Sequence, residues 1–153
     1  MILNQENRTN CWIWATMAIL QHEWVIFDIA KFSELKAPYM PLIQKIFVDS
    51  GLVSKFIPLP TPKLVDLWLN RWEYILTGTS RGDFTLEDNE GCRVEFDEKV
   101  QHYFAIIKDC WDRWQCQNSW WADWNWDWCF YMKKADFKYL FTPRRICPTS
   151  QNT

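Results

Sequence analysis

Apolar residues dominate the stretch that follows Asn10, and their pattern predicts a buried helix. The segment "CWIWATMAILQHEW" is apolar on nearly every side and contains neither Gly nor Pro. Thr9 and Asn10 precede it, and both residue types favour the N-cap position of a helix. We therefore expect a helix of about three turns that begins near Cys11.

Two further helices are predicted by apolar residues spaced three and four apart. The segment "PLIQKIFVDSGL" has this spacing and reaches Gly51, a residue type that commonly ends helices. The segment "KLVDLWLNRW" repeats the spacing from Leu64 to Trp72 and predicts a short third helix. Between them lies "IPLPTP" (57–62), which we expect to interrupt regular structure because of its prolines.

Beyond Trp72 the pattern changes to short β-favouring runs separated by Gly, Asp and Asn. The runs are "YILTGT", "DFTLE", "RVEF", "QHYFAII", "RWQCQNSW" and "CFYM". Helices followed by antiparallel strands predict one compact α+β domain over residues 1–153. Its helical half, about 1–60, would pack on a β-rich half, about 61–153, and the cleft between them is the natural place for a site.

Composition and charge exclude several partners. The net charge is −2, so there is no electrostatic reason to expect a nucleic acid or an anionic membrane as partner. No window approaches the roughly 20 apolar residues of a membrane span. The segment "MILNQENRTN" lacks the basic start and apolar run of a secretory signal, so we expect a cytoplasmic protein.

Two features of the composition are unusual. Tryptophan occurs twelve times and glycine four times in 153 residues. The six cysteines are spaced too irregularly for a small disulfide scaffold or a zinc site, so we expect reduced thiols and no metal.

Cys11 is a candidate nucleophile because of its place at a helix start. Free backbone N–H groups and the positive end of the helix dipole stabilise a thiolate, the reactive form of cysteine. Gln5 could bring its side-chain NH₂ beside the backbone N–H of Cys11, which would give two donors for the oxygen of a tetrahedral intermediate. A small buried structural residue is the alternative interpretation of Cys11.

His102 and Asn118 supply the other groups that a cysteine nucleophile needs. His102 heads the apolar strand "HYFAII", where its ring requires a specified partner. The chain turns back in "KDCWDRWQ", so a hairpin could place Asn118 beside His102. Trp120 could then shield the Asn–His hydrogen bond from water. A structural histidine is the alternative for His102.

These segments resemble the papain-like cysteine peptidases. "NQENRTNCW" is similar to that family's Asn-Gln-Gly…Cys-Trp segment, with the same six-residue step from glutamine to cysteine. Val100, Gln101 and His102 resemble its Val-Asp-His, and "QNSWWADW" resembles its Lys-Asn-Ser-Trp-Gly…Trp. The sixteen-residue step from His102 to Asn118 also fits.

The resemblance implies a papain-like fold and a thiol hydrolase that acts on peptides without a metal or cofactor. Cys11 would be the nucleophile, His102 the general base and later the acid, and Asn118 the group that orients the ring. Gln5 and the Cys11 N–H would form the oxyanion hole, and Trp120 would be the shield.

The chain also departs from the family. Cys11 precedes His102 by 91 residues and Asn118 by 107, against about 130 to 150 in papain-like enzymes. Trp121 and Trp128 stand where the family has glycine, and we expect them, with Trp126, to fill volume left by the shortened chain. Two alternatives therefore stay open: a degenerate fold that binds peptides or proteins, and a cysteine-dependent acyltransferase or amidase.

Overall fold

Helices and strands account for most of the chain that the structure describes. The computed structural model describes residues 11–33, 40–79, 86–87, 93–94, 102–118 and 129–149. Its helices are α1 (Cys11–His22), α2 (Ile29–Ser33), α3 (Met40–Asp49) and α4 (Pro62–Leu69). Its strands are β1 (Val53–Pro58), β2 (Ile75–Thr79), β3 (Leu86–Glu87), β4 (Arg93–Val94), β5 (His102–Cys110), β6 (Arg113–Asn118), β7 (Cys129–Lys133) and β8 (Leu140–Pro148). A 3₁₀ helix, Lys134–Tyr139, leads into β8.

The three predicted helices are confirmed as α1, α3 and α4. α1 begins at Cys11, as the apolar pattern indicated. In α4, Pro62 occupies the first turn and the Thr61 hydroxyl accepts a hydrogen bond from the Leu64 N–H at 3.3 Å. α4 ends at Leu69, short of Trp72, because the chain turns there with a φ of 68° at Trp72.

The strands form one antiparallel sheet, so the fold is α+β. Their order is β1-β8-β2-β5-β6-β7-β3-β4. Six of them carry at least five residues, whereas β3 and β4 carry two each and continue the sheet beyond β7. The predicted strands are confirmed for the described residues, and β5 runs further than expected, to Cys110.

The sequence pattern missed α2, β1 and β8. β1 includes Ile57 and Pro58, at the start of the segment expected to interrupt regular structure, so that prediction was wrong there. β1 lies at one end of the strand order, and a proline is tolerated in an edge strand because no ladder hydrogen bond is lost. β1 pairs with β8, so the sheet takes strands from both parts of the chain.

Two apolar clusters cover opposite faces of the sheet. Tyr103 and Ala105 of β5 belong to the cluster formed with α1, α2 and α3. The alternate residues Phe104 and Ile106 belong to the cluster formed with α4. Because side chains alternate along a strand, β5 is buried between helices on both sides. This central strand is also the one that begins at His102.

Candidate active site

The N-terminus of α1 carries the predicted nucleophile. Cys11 is the first residue of the helix, so its backbone belongs to the turn whose N–H groups have no partner within the helix. An anion at this position is stabilised by those groups and by the helix dipole. The helix start that the thiolate argument requires is therefore present, while the Cys11 side chain lies outside the described part of the chain.

The β5–β6 hairpin connects the other two predicted residues. His102 is the first residue of β5 and Asn118 is the last of β6. Asn118 lies opposite Phe104, two positions from His102 along the same strand. The hairpin expected from the sequence is thus confirmed for the backbone, whereas the side chains of His102 and Asn118 are not among those described.

A β-bulge sets the register of this hairpin. Cys110 pairs with Arg113 near the turn, but beyond Lys108 the pairing shifts by one residue, so that Ile106 lies opposite Cys116. Without this shift Asn118 would lie opposite Ala105, on the other face of the sheet. The bulge at Ile107 therefore gives backbone positions 102 and 118 the same face.

Contacts at the far end of α1 indicate the direction of the helix along β5. The ring of His22 stacks on Tyr74, with centroids 3.6 Å apart. Tyr74 precedes Ile75, which pairs with Ile106, so the C-terminus of α1 lies near the C-terminal part of β5. Counting back, the length of α1 is about 16 Å and the stretch from Ile107 to His102 is about 16 Å as well. A helix aligned with β5 would therefore begin near the first residue of the strand.

The two faces of β5 restrict where a common site could form. α1 packs on the face that carries Tyr103 and Ala105, whereas Phe104 and its register partner Asn118 belong to the other face. A site that unites Cys11 with positions 102 and 118 must consequently lie at the beginning of β5, where the chain can pass from one face to the other.

A polar network fixes the opposite end of the hairpin. The Lys134 ammonium bonds both Asp109 and, at 3.0 Å, Asp66. Asp66 accepts a further bond of 2.7 Å from the buried Trp114 indole, and Asn70 donates to Asp109 at 3.1 Å. The network joins α4, β5, β6 and the 3₁₀ helix, and thereby fixes the frame that carries positions 102 and 118.

The pKa values of the network follow from these contacts. Partial burial alone would raise the pKa of Asp109, but its hydrogen bonds from Lys134 and Asn70 outweigh that effect and lower the pKa. Partial burial acts in the opposite sense on Lys134, and its bonds to Asp109 and Asp66 raise its pKa. Both groups are therefore held in their charged forms. No sequence motif marks this network, because its members are far apart in the chain.

The four other cysteines of the described ranges lie in strands and not at the start of a helix, where a thiolate is stabilised. They are Cys110, Cys116, Cys129 and Cys147, and they are not joined by disulfide bonds. Complete burial raises the pKa of Cys116 well above its ordinary value, so its thiol stays neutral. Cys116 packs instead as a small apolar residue beside its cross-strand neighbour Ile106.

His22 is a structural residue rather than a second candidate base. Its Nε2 lies 2.7 Å from the Trp72 carbonyl oxygen, and its ring is covered by Tyr74. It lines an open cavity of about 440 Å³ together with Trp72, Tyr74 and Asp109. This cavity lies at the end of β5 remote from His102.

The remaining predicted residues lie outside the described ranges. They are Gln5 and Trp120, and with them Trp121, Trp126 and Trp128. No helix within the described ranges is long and apolar enough to cross a membrane. Comparison with protein-family models, with curated proteins and with solved structures gave no match.

Proposed function

We propose that the protein is a cysteine peptidase of the papain type. Cys11 is the nucleophile, His102 the general base and acid, and Asn118 the residue that orients the imidazole. The main support for the proposal is the β5–β6 hairpin. Because of its bulge, backbone positions 102 and 118 lie close together on the same face of the sheet. The helix start at Cys11 supports it, since that is where a thiolate is stabilised.

The reaction proceeds through an acyl-enzyme. His102 takes the proton of the Cys11 thiol, the sulfur attacks the peptide carbonyl carbon, and the oxygen of the tetrahedral intermediate takes hydrogen bonds from the Gln5 side chain and the Cys11 N–H. The C–N bond breaks as His102 gives its proton to the leaving amine. His102 then takes a proton from water, whose oxygen attacks the thioester, and the C–S bond breaks to release the acid.

Asn118 and Trp120 act through the histidine. An amide oxygen held against one ring nitrogen selects the tautomer and the orientation in which the other nitrogen meets the sulfur. Excluding water from that hydrogen bond strengthens it, which is the role we assign to Trp120. Both residues are therefore positioning residues.

Labelling with an electrophilic peptide tests the nucleophile. We expect one equivalent of a peptide that carries a thiol-reactive group to attach to Cys11, and the labelling to disappear in Cys11→Ala. Cys147→Ala is the matched control, because Cys147 is a free, half-buried thiol in β8, and it should leave the labelling unchanged. Labelling of other cysteines with Cys11 unmodified in the folded protein would contradict the proposal.

The same assay separates a peptidase from a degenerate binding protein. His102→Ala should slow the labelling of Cys11 and abolish hydrolysis of a peptide amide, since the base is lost. A folded parent protein that binds the peptide reversibly, with no reaction at Cys11, would support the binding protein and overturn the peptidase.

A further inference from the structure

Three helices end in the same backbone conformation but with different residues. At the end of α3 the chain turns through Gly51, with φ at 81°, and the Gly51 N–H bonds the Val48 carbonyl. Trp24 and Trp72 hold the equivalent place after α1 and α4, with φ of 61° and 68°. A left-handed residue at this place is usually glycine, because a Cβ crowds the following carbonyl oxygen.

The hydrogen bonds identify these two helix ends as Schellman motifs. After α1, the N–H groups of Trp24 and Val25 bond the carbonyls of Gln21 and Leu20. After α4, those of Trp72 and Glu73 bond the carbonyls of Leu69 and Trp68 in the same pattern. The motif places its left-handed residue at the position of the tryptophan in both cases.

A third tryptophan occupies a turn position that also favours glycine. Cys110 and Arg113 pair across the β5–β6 hairpin, which leaves Trp111 and Asp112 as a two-residue turn. φ is 69° at Trp111, and Asp112 is not among the described residues with positive φ. A positive φ at the first position alone defines a turn in which that residue is normally glycine, and Gly-Asp is a typical sequence for it.

The side chains of these three tryptophans are almost fully exposed to solvent. Trp24, Trp72 and Trp111 are 91%, 86% and 93% exposed, and they are the only non-glycine residues with positive φ in the described ranges. Trp72 lines the cavity that contains His22 and Asp109, and Trp24 and Trp111 each follow one of these two residues by two positions in the chain.

Two other tryptophans are of a different kind. Trp114 is fully buried and donates to Asp66, and Trp68 lies beneath the Arg145 guanidinium at 3.7 Å. Both have negative φ and side chains that pack. The chain thus contains tryptophans whose side chains pack in the fold and tryptophans whose backbone conformation favours glycine.

We propose that Trp24, Trp72 and Trp111 are glycine in the protein as its own organism makes it, through a codon that is read there as glycine. Organisms differ in the residue that some codons specify. Tryptophan has a single codon in the common code, so a chain with two physically distinct kinds of tryptophan indicates two codons read alike. One cause then accounts for three strained, exposed positions and for the excess of tryptophan over glycine. The three exposed indoles are accordingly absent from the natural protein.

The nucleotide sequence and the protein from its source test this proposal. We expect codons 24, 72 and 111 to be one triplet, different from the triplet at 68 and 114. Peptide mass spectrometry of the full chain purified from the source cells should find glycine at the first three positions and tryptophan at the other two. One triplet at all five positions, or tryptophan in the purified protein at any of the first three, would overturn it.

Discussion

The positive φ of Trp24 determines how this residue affects the stability of the fold. In the left-handed region a non-glycine residue is disfavoured by about 1 to 2 kcal/mol, whereas glycine loses about 0.5 to 1 kcal/mol more chain entropy on folding. Replacing the indole with hydrogen removes the strain and an exposed apolar ring together. The net effect should be a small gain in stability.

We therefore predict that Trp24→Gly, made in a chain that carries the tryptophans, raises the free energy of unfolding by about 0.5 to 1 kcal/mol. Trp24→Ala is the matched control because it removes the indole and keeps the Cβ. The glycine variant should exceed the alanine variant in urea unfolding. Equal midpoints for the two variants would show that the Cβ is not strained.

Trp114 is the contrasting residue, since it is fully buried and hydrogen-bonded. Trp114→Ala should lower the free energy of unfolding by about 3 to 5 kcal/mol, because it leaves a cavity and an acceptor on Asp66 without its indole donor. Trp111→Ala, at an exposed position three residues earlier, should cost far less. Comparable losses in the two variants would mean that Trp114 is not part of the core.

At the scale of elements, the network around Lys134 makes the packing of α4 and the 3₁₀ helix against the β5–β6 hairpin sensitive to acid. The pKa of Asp109 is lowered in the folded protein, so the pair stabilises the fold fully above the unfolded pKa of aspartate, about 3.9. This contribution is lost as the pH falls through the lower, folded pKa. Acid should thus loosen the joint between α4, β5 and the 3₁₀ helix.

Asp109→Asn should flatten the fall in unfolding free energy below about pH 4, because the titrating group is gone. Lys134→Met should produce a related loss, and the double variant should lose less than the sum of the single variants, since both act on one contact. Urea unfolding from neutral pH to about pH 2 measures this. An unchanged acid slope in Asp109→Asn would contradict the role of the pair.

The elements that the sequence predicted are those whose burial follows a simple period. α1 is apolar on nearly every side and uninterrupted by Gly or Pro, so its start at Cys11 could be read directly. β8 could not, because "LFTPRRICP" contains two prolines and two arginines. Pro143 lies where the β2–β8 register shifts, and Arg145 is held by Glu73 and by stacking on Trp68. These compensations come from tertiary contacts.

The candidate site was predictable to the same extent. The spacing of His102 and Asn118 indicated a hairpin, which the strand pairing bears out. The bulge at Ile107, which decides whether their positions share a face, has no sequence signal of its own. The Lys134 network was also hidden, because its carboxylates and amide come from separate elements.

At the scale of the whole molecule, helices cover both faces of one antiparallel sheet, and the central strand β5 begins at the predicted base. The proposed codon reading bears on the proposed site as well. By the resemblance of its sequence to papain-like peptidases, Trp121 and Trp128 stand where those enzymes have glycine, so glycine there would strengthen that resemblance. The peptide analysis of the natural protein covers these positions too.

The central claim is that Cys11, His102 and Asn118 form one site at the beginning of β5. A crystal structure of the protein tests it most directly, through two distances. We predict that the Cys11 sulfur lies within about 4 Å of one His102 ring nitrogen, and that the Asn118 amide oxygen lies within about 3.2 Å of the other. Finding the Cys11 sulfur and the His102 ring on separate surfaces, well beyond these distances, would contradict the account.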